Sequence, residues 1–236
     1  MMERQKTGIK GIDVMLEGGV PSGSIFALSG PPGIGKSIFT LHFLLEGARQ
    51  SQRCIYINLE EPRSNIDNSL SQFSFAEEFY KYEKKGLIVI KCMEYPEYER
   101  VYPELMKKIR EDDSIQRLAV DSFNCFFTAV HNPNYLNINT EINVRKMITS
   151  MFNLLRKKNL TTMLVLEANS DTNNSFYYNI PYLVDGTISL DFISLGSLER
   201  RIFIPKMRWT KQYDSTKPFV ITKKGIVIKE ESEEEI

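Results

Sequence analysis

Eight consecutive residues, Gly30, Pro31, Pro32, Gly33, Ile34, Gly35, Lys36 and Ser37, combine the types needed to hold a polyphosphate. Glycines let backbone N–H groups turn inward around phosphate oxygens, and a helix starting directly after them adds a favourable partial charge. The order Gly, four residues, Gly-Lys-Ser is the phosphate-loop pattern, in which Lys36 reaches the β and γ phosphates and the Ser37 hydroxyl ligates Mg²⁺. Ile38 completes the binding stretch. Such a site needs a carboxylate to position the metal. Asp121 supplies one, because it closes the apolar run "RLAVDS", and a parallel sheet delivers strand-end side chains to the crevice at its carboxyl edge.

The elements around these residues are readable from hydrophobic spacing. "GSIFALSG" is a short apolar run bounded by glycines, and from Ser37 to Gln50 the apolar residues recur at helical intervals, so the loop lies between strand and helix. The alternation continues with a strand in "RCIYINL", a helix from Pro62 to Phe73, a strand in "GLIVIK" and a helix from Tyr98 to Glu111. "RLAVDS" and "TTMLVLEA" add two buried strands, separated by a helix from about Glu141 to Lys158. Strands rich in Ile, Val and Leu on both faces, alternating with helices, predict an α/β fold with a mostly parallel sheet covered on each side. After about Leu183 the rhythm changes to strand-like runs with short turns, "VDGTISLDFI", "LERRIFIPKMR" and "KPFVITKKGIVIKE", which predict an antiparallel extension ending in a hairpin at "TKKG". One domain over residues 1–229 is expected, followed by a disordered acidic tail at 230–236.

Composition narrows the classes of function. The 30 basic and 30 acidic residues cancel, so no field from the whole molecule draws it to DNA or to an anionic membrane. Cys54, Cys92 and Cys125 stand far apart without ligand spacing, and only His42 and His131 could join them, which points to a reducing interior rather than a zinc site. No apolar run approaches a membrane span, and a cytoplasmic protein without membrane partners is expected.

The text around the phosphate loop carries a resemblance. "TGIKGIDVMLEGGVPSGSIFALSGPPGIGKS" resembles the opening of the KaiC-like branch of the RecA/RadA superfamily, and "YINLEEP", "RLAVDS", "PKMRWT" and "FVITKKGIVI" follow in the family's order over nearly the whole chain. Among its members the chain looks most like the short archaeal single-domain forms described as RadA paralogs. The resemblance implies a RecA-like core, ATP with Mg²⁺, and slow hydrolysis between the subunits of a homo-oligomer, a hexamer among the candidate states. It also assigns roles. Glu60 and Glu61 match the acidic pair that activates the attacking water, with Glu60 the first candidate. Glu167 falls where relatives sense the γ-phosphate. Lys206 and Arg208 match a Lys-x-Arg pair that reaches the phosphate bound by the neighbouring subunit, and two residues spaced this way on a strand project to one face.

What the ATP serves is read less directly. Recombinases of the superfamily hold DNA with two loops, which correspond here to about 126–143 and 168–182. No Lys or Arg lies between Arg117 and Arg145 or between Lys158 and Arg200, so the phosphate contacts that dominate DNA affinity are missing from both. The aromatics Phe176, Tyr177, Tyr178 and Tyr182 keep single-stranded DNA as an alternative partner, since bases stack on such rings. The reading is therefore a KaiC-like ATPase acting as a nucleotide-gated regulator of partner proteins such as a recombinase or a signalling component. A RadA-related DNA-repair accessory is the alternative, and autophosphorylation is an activity that KaiC itself would suggest.

Overall fold

Strands that are apolar on both faces need a covering layer on each side, and the helices provide two. In the computed structural model, which describes residues 2–92, 98–125, 138–167, 180–194, 198–211 and 213–229, the chain opens with β1 (Arg4–Gln5), α1 (Lys10–Met15) and β2 (Val20–Pro21), the two strands pairing antiparallel. The core then alternates as β3 (Ile25–Gly30), α2 (Lys36–Arg49), β4 (Arg53–Asn58), α3 (Arg63–Leu70), α4 (Ala76–Lys84), β5 (Ile88–Cys92), α5 (Tyr98–Glu111), β6 (Ile115–Asp121), α6 (Ile138–Lys157) and β7 (Thr161–Glu167). It ends with α7 (Ile180–Leu183), β8 (Gly186–Ser194), β9 (Leu198–Met207), β10 (Lys217–Thr222) and β11 (Gly225–Ile228). Among the described residues, nine strands form one sheet in the order β11-β10-β9-β8-β3-β7-β6-β4-β5.

Alternation along each strand sorts the core into two halves. Phe26 and Leu28 of β3 face the cluster built on Phe39, Phe43 and Leu44 of α2, whereas Ile25 and Ala27 face Ile148, Met151 and Leu155 of α6. The expected helix from Pro62 to Phe73 is shorter, with Pro62 preceding α3, which stops at Leu70, and a further helix that the spacing did not predict, α4, buries Ala76 and Phe79.

The antiparallel extension begins one strand later than expected. β8 pairs parallel with β3, Phe26 opposite Gly186 and Ser29 opposite Ser189, and only β9, β10 and β11 run antiparallel. A parallel neighbour needs a crossover of a dozen or more residues. The chain between Glu167 and Gly186 is long enough to return to the start of β3, a fact that strand-like spacing alone does not carry.

Arg117 holds the N-terminal segment to this core. Its fully buried guanidinium donates to Gln52 Oε1 (2.6 Å), Lys6 O (2.7 Å), Phe43 O (2.9 Å) and Gln5 Oε1 (3.0 Å). A hydrogen bond from every nitrogen is what makes a buried charge without a carboxylate partner tolerable.

The hairpin of β10 and β11 rests on α2 through His42. The Ile226 N–H donates to His42 Nε2 at 3.2 Å, a Cβ on Gly225 would meet that nitrogen at 2.0 Å, and the Ser74 N–H donates to Lys223 O at 2.8 Å. Burial lowers the His42 pKa from 6.5 to about 4, with the Arg49 charge adding to the shift. The unfolded chain therefore binds a proton between these values that the folded chain refuses, so stability is fully present above pH 6.5 and falls as pH drops toward 4. His42→Gln is expected to remove about 2 kcal/mol from the stability difference between pH 7 and pH 5, measured by denaturant unfolding of both proteins at the two pH values. An unchanged difference would show that His42 is not held neutral by the hairpin.

Candidate functional site

The phosphate loop leaves β3 where only glycine fits, since a Cβ on Gly30 would meet Leu190 O at 2.6 Å. Gly33 and Gly35 have φ of 72° and 119°, the left-handed region glycine enters freely, and Gly35 is the residue before α2. No described side chain caps the first N–H groups of α2, so they face the loop as an anion cradle requires. Ile34 is buried and fastens the loop, whereas Pro32 and Gly33 are exposed at its rim. The hairpin supports the cradle from behind: a Cβ on Gly35 would come within 3.2 Å of Ile221.

Lys36 is buried at the base of the loop and donates from Nζ to Gly30 O (2.8 Å) and Pro31 O (3.1 Å). Burial lowers its pKa, against the opposing pull of Glu167, Asp121 and Glu60. One ammonium thus sits among three carboxylates that sequence places far apart.

Those carboxylates arrive on the carboxyl ends of β4, β6 and β7. Asp121 ends β6 opposite Asn58 on β4 and accepts hydrogen bonds on Oδ2 from Ser37 Oγ (3.4 Å) and Tyr56 OH (2.7 Å). Burial pushes the Asp121 pKa up to about 6, only partly offset by the Tyr56 bond. A carboxylate that burial holds back from ionising is stabilised strongly by an adjacent cation. The chain of contacts continues from Asn58 Nδ2 to Tyr56 OH (3.2 Å), and Asn58 Oδ1 accepts from the N–H groups of Glu60 (3.0 Å) and Glu61 (2.7 Å). One buried line of polar groups therefore links the Ser37 hydroxyl to the turn that carries both glutamates. The peptide bond from Asp121 to Ser122 is cis.

Burial also raises the Glu60 pKa, while the Ser122 hydroxyl bonded to it works the other way and the nearby Glu167 charge adds to the rise. Glu167 ends β7, where its N–H donates to Asn124 Oδ1 (3.1 Å) and its carbonyl accepts from Asn124 Nδ2 (3.4 Å). Glu61 lines a cavity of about 320 Å³ together with Ser37, Tyr56, Asn65 and Ser69 of α3, and Gln72 just after it. The structure thus brings together Gly30 to Ile38, Glu60, Glu61, Asp121 and Glu167.

Two predicted site residues stand apart. Lys206 lies on β9 opposite Thr187, which pairs with Ala27, so it is level with the middle of β3, three residues before the end where the loop leaves. The separation is about 10 Å along the sheet and about 10 Å across two strand spacings. Its Nζ donates to Val184 O (2.7 Å) and Pro181 O (2.8 Å), and Arg208, in the turn after β9, donates to Asp185 Oδ1 at 3.1 Å. Buried Asp185 also accepts from the Ile25 N–H on Oδ2 (3.1 Å), which fixes the start of β3 and the position of Arg208 together.

Sequence reading passed over Tyr56, Asn58, Asn124 and Asp185. The signal for the first two was visible as polar residues two apart in an otherwise apolar strand, directly before the glutamates. The oxygen donors Ser37 and Asp121 suit Mg²⁺, which takes one or two protein ligands and fills its remaining positions with phosphate and water. Among the described residues no cluster of three His, Cys, Asp or Glu could hold a metal by itself. Most of the two loops considered for DNA, including Phe176, Tyr177 and Tyr178, lies outside the described residues; Tyr182, on α7, is exposed.

A family model described as "ATPase: KaiC" matches residues 5–233. The chain belongs to the KaiC family of ATPases. A UPF0273 protein of Pyrococcus furiosus is 32% identical over 235 residues, covering 97% of this chain and 94% of its own, and one of Thermotoga maritima is 30% identical over 233 residues, covering 97% and 96%. The crystal structure of a KaiC-like protein from Pyrococcus horikoshii superposes with a TM-score of 0.79 at 27% identity, covering 98% of this chain and 100% of that one. The KaiC-family core is a RecA-like α/β fold, and its phosphate loop makes this chain an ATP-binding member. No described helix is long and apolar enough to cross a membrane.

Proposed function

We propose that the chain is a Mg²⁺-dependent ATPase whose hydrolysis is completed between copies, and that this makes it a nucleotide-gated regulator of other proteins. The observation that carries the reading is the opposite placement of the phosphate loop and the Lys206/Arg208 pair on one rigid sheet. Neither cation can span that separation within its own copy, whereas a neighbour stacked end to end can present both.

In this reading the loop N–H groups and Lys36 hold the triphosphate, and Ser37 and Asp121 hold Mg²⁺, which when bound neutralises charge on the phosphate oxygens. Glu60 takes the proton from the attacking water as its oxygen bonds to the γ-phosphorus, and the electron pair of the broken P–O bond leaves with ADP. Glu61 supports Glu60 from the same turn, and Glu167 registers the γ-phosphate from β7. Lys206 and Arg208 of the adjacent copy neutralise charge developing on the transferred group. Turnover then requires assembly, which couples nucleotide state to whatever the assembly binds.

The test is the rate per chain as protein concentration is varied with ATP and Mg²⁺ in excess. The rate per chain is expected to rise with concentration and level off when assembly is complete. Turnover that stays constant down to dilutions where sedimentation shows only monomer would rule the reading out.

A further inference from the structure

We propose that Trp209 is the anchor by which one copy of the chain docks on the next. The proposal rests on the reading that Lys206 and Arg208 act across that contact. Trp209 directly follows Arg208, is 59% exposed and holds a φ of 58°, a left-handed conformation that bulky residues adopt only at a cost. Its backbone is clamped. Arg4 donates from Nη2 to Trp209 O (2.7 Å) and from Nη1 to Thr210 Oγ1 (2.5 Å), and pairs with Glu17 at 3.2 Å. Glu17 also accepts the Lys211 N–H (3.1 Å), and the Arg208 N–H donates to Asp185 O (2.9 Å). Most of a large indole is thus left in water on a turn fastened from both sides.

The charges select a second copy as the occupant. The turn carries Lys206, Arg208, Lys211 and Arg4 against Asp185 and Glu17, an excess of positive charge. The nucleotide site at the other end of β3 carries Glu60, Glu61, Asp121 and Glu167 against Lys36, an excess of negative charge that a triphosphate increases. Complementary faces at opposite ends of one sheet join copies head to tail. Beside Arg208 a pocket of about 160 Å³ opens over Met15, Leu16, Ile204 and Met207, so the face next to the turn has an apolar centre within a rim of cations. Tryptophan and arginine over an apolar centre are the residue types that concentrate binding energy at interfaces.

Trp209 is the one tryptophan of the chain, so its emission reports its own environment. The full chain is titrated with ATP and Mg²⁺ while sedimentation follows its assembly. Emission is expected to move to shorter wavelength as copies associate, and Trp209→Gly to weaken association on the order of thirtyfold. Glycine favours the left-handed turn, so this variant keeps its fold. Assembly with unshifted emission and undiminished in Trp209→Gly overturns the anchor and leaves the trans reading standing. Burial of Trp209 on assembly, with no recovery of activity when Arg208→Ala and Lys36→Ala proteins are mixed, supports the anchor and overturns the trans reading. Absence of assembly at every concentration overturns both.

Discussion

Arg208→Ala is expected to bind ATP nearly as the parent chain does and to lose on the order of 10³ to 10⁵ in turnover, the range seen when a charge-neutralising arginine is withheld from phosphoryl transfer. Binding survives because the groups that hold the nucleotide lie at the far end of β3, about 16 Å away along the strand and two strands across. The fold survives because Arg208 gives up only a half-exposed pair with Asp185, of the kind worth little, and Asp185 keeps Arg156 at 3.4 Å and the Ile25 N–H. Lys36→Ala has the opposite defect: it lacks the loop cation and retains the Lys206/Arg208 end. Each variant alone is inactive, and mixing them is expected to restore turnover, since one supplies an intact loop and the other an intact pair. A mixture as inactive as its components would show that the pair does not act between copies.

Glu60→Gln should likewise keep ATP and Mg²⁺ bound while turnover falls by about 10² to 10⁴, the usual contribution of a positioned general base. The amide preserves size and the backbone contact to Asn58, so a loss isolates the proton acceptor. Burial raises the Glu60 pKa, which makes its carboxylate a stronger base than an exposed glutamate. Glu61 shares the Asn58 clamp but faces the cavity beside Ser37 and Tyr56, and Glu61→Gln is expected to lose less. The measurement is single-turnover hydrolysis of ATP by each variant at saturating protein. A greater loss from Glu61→Gln would move the base to Glu61, and unchanged rates in both would leave the water to be activated by another group.

Much of the site was legible because its parts are local in sequence. The phosphate loop is eight contiguous residues whose glycine positions follow from backbone geometry, and Asp121 and Glu167 each close an apolar run whose strand character is plain from β-branched residues. The helix from Tyr98 to Glu111 has the expected ends, and the hairpin at "TKKG" forms as its β-branched flanks require. Tyr56 and Asn58 were harder to see. Their role depends on Asp121 standing beside Asn58 in register across β4 and β6, and a register between strands some sixty residues apart leaves no periodic trace.

By itself the sequence determined the phosphate-loop motif, the alternation of the core strands with most of their helices, and the residues available to act on a phosphate. These follow from short-range physics: glycine at positive φ, strands with two apolar faces, helices with one. Tertiary structure alone decided which strand β8 joins, which groups bury Arg117 and Asp121, and that Lys206 and Arg208 stand at the opposite end of the sheet from Lys36. Those outcomes are set by crossovers that return the chain to one edge of the sheet, and the two ends of a strand a few residues long become different sites only once its neighbours are in place.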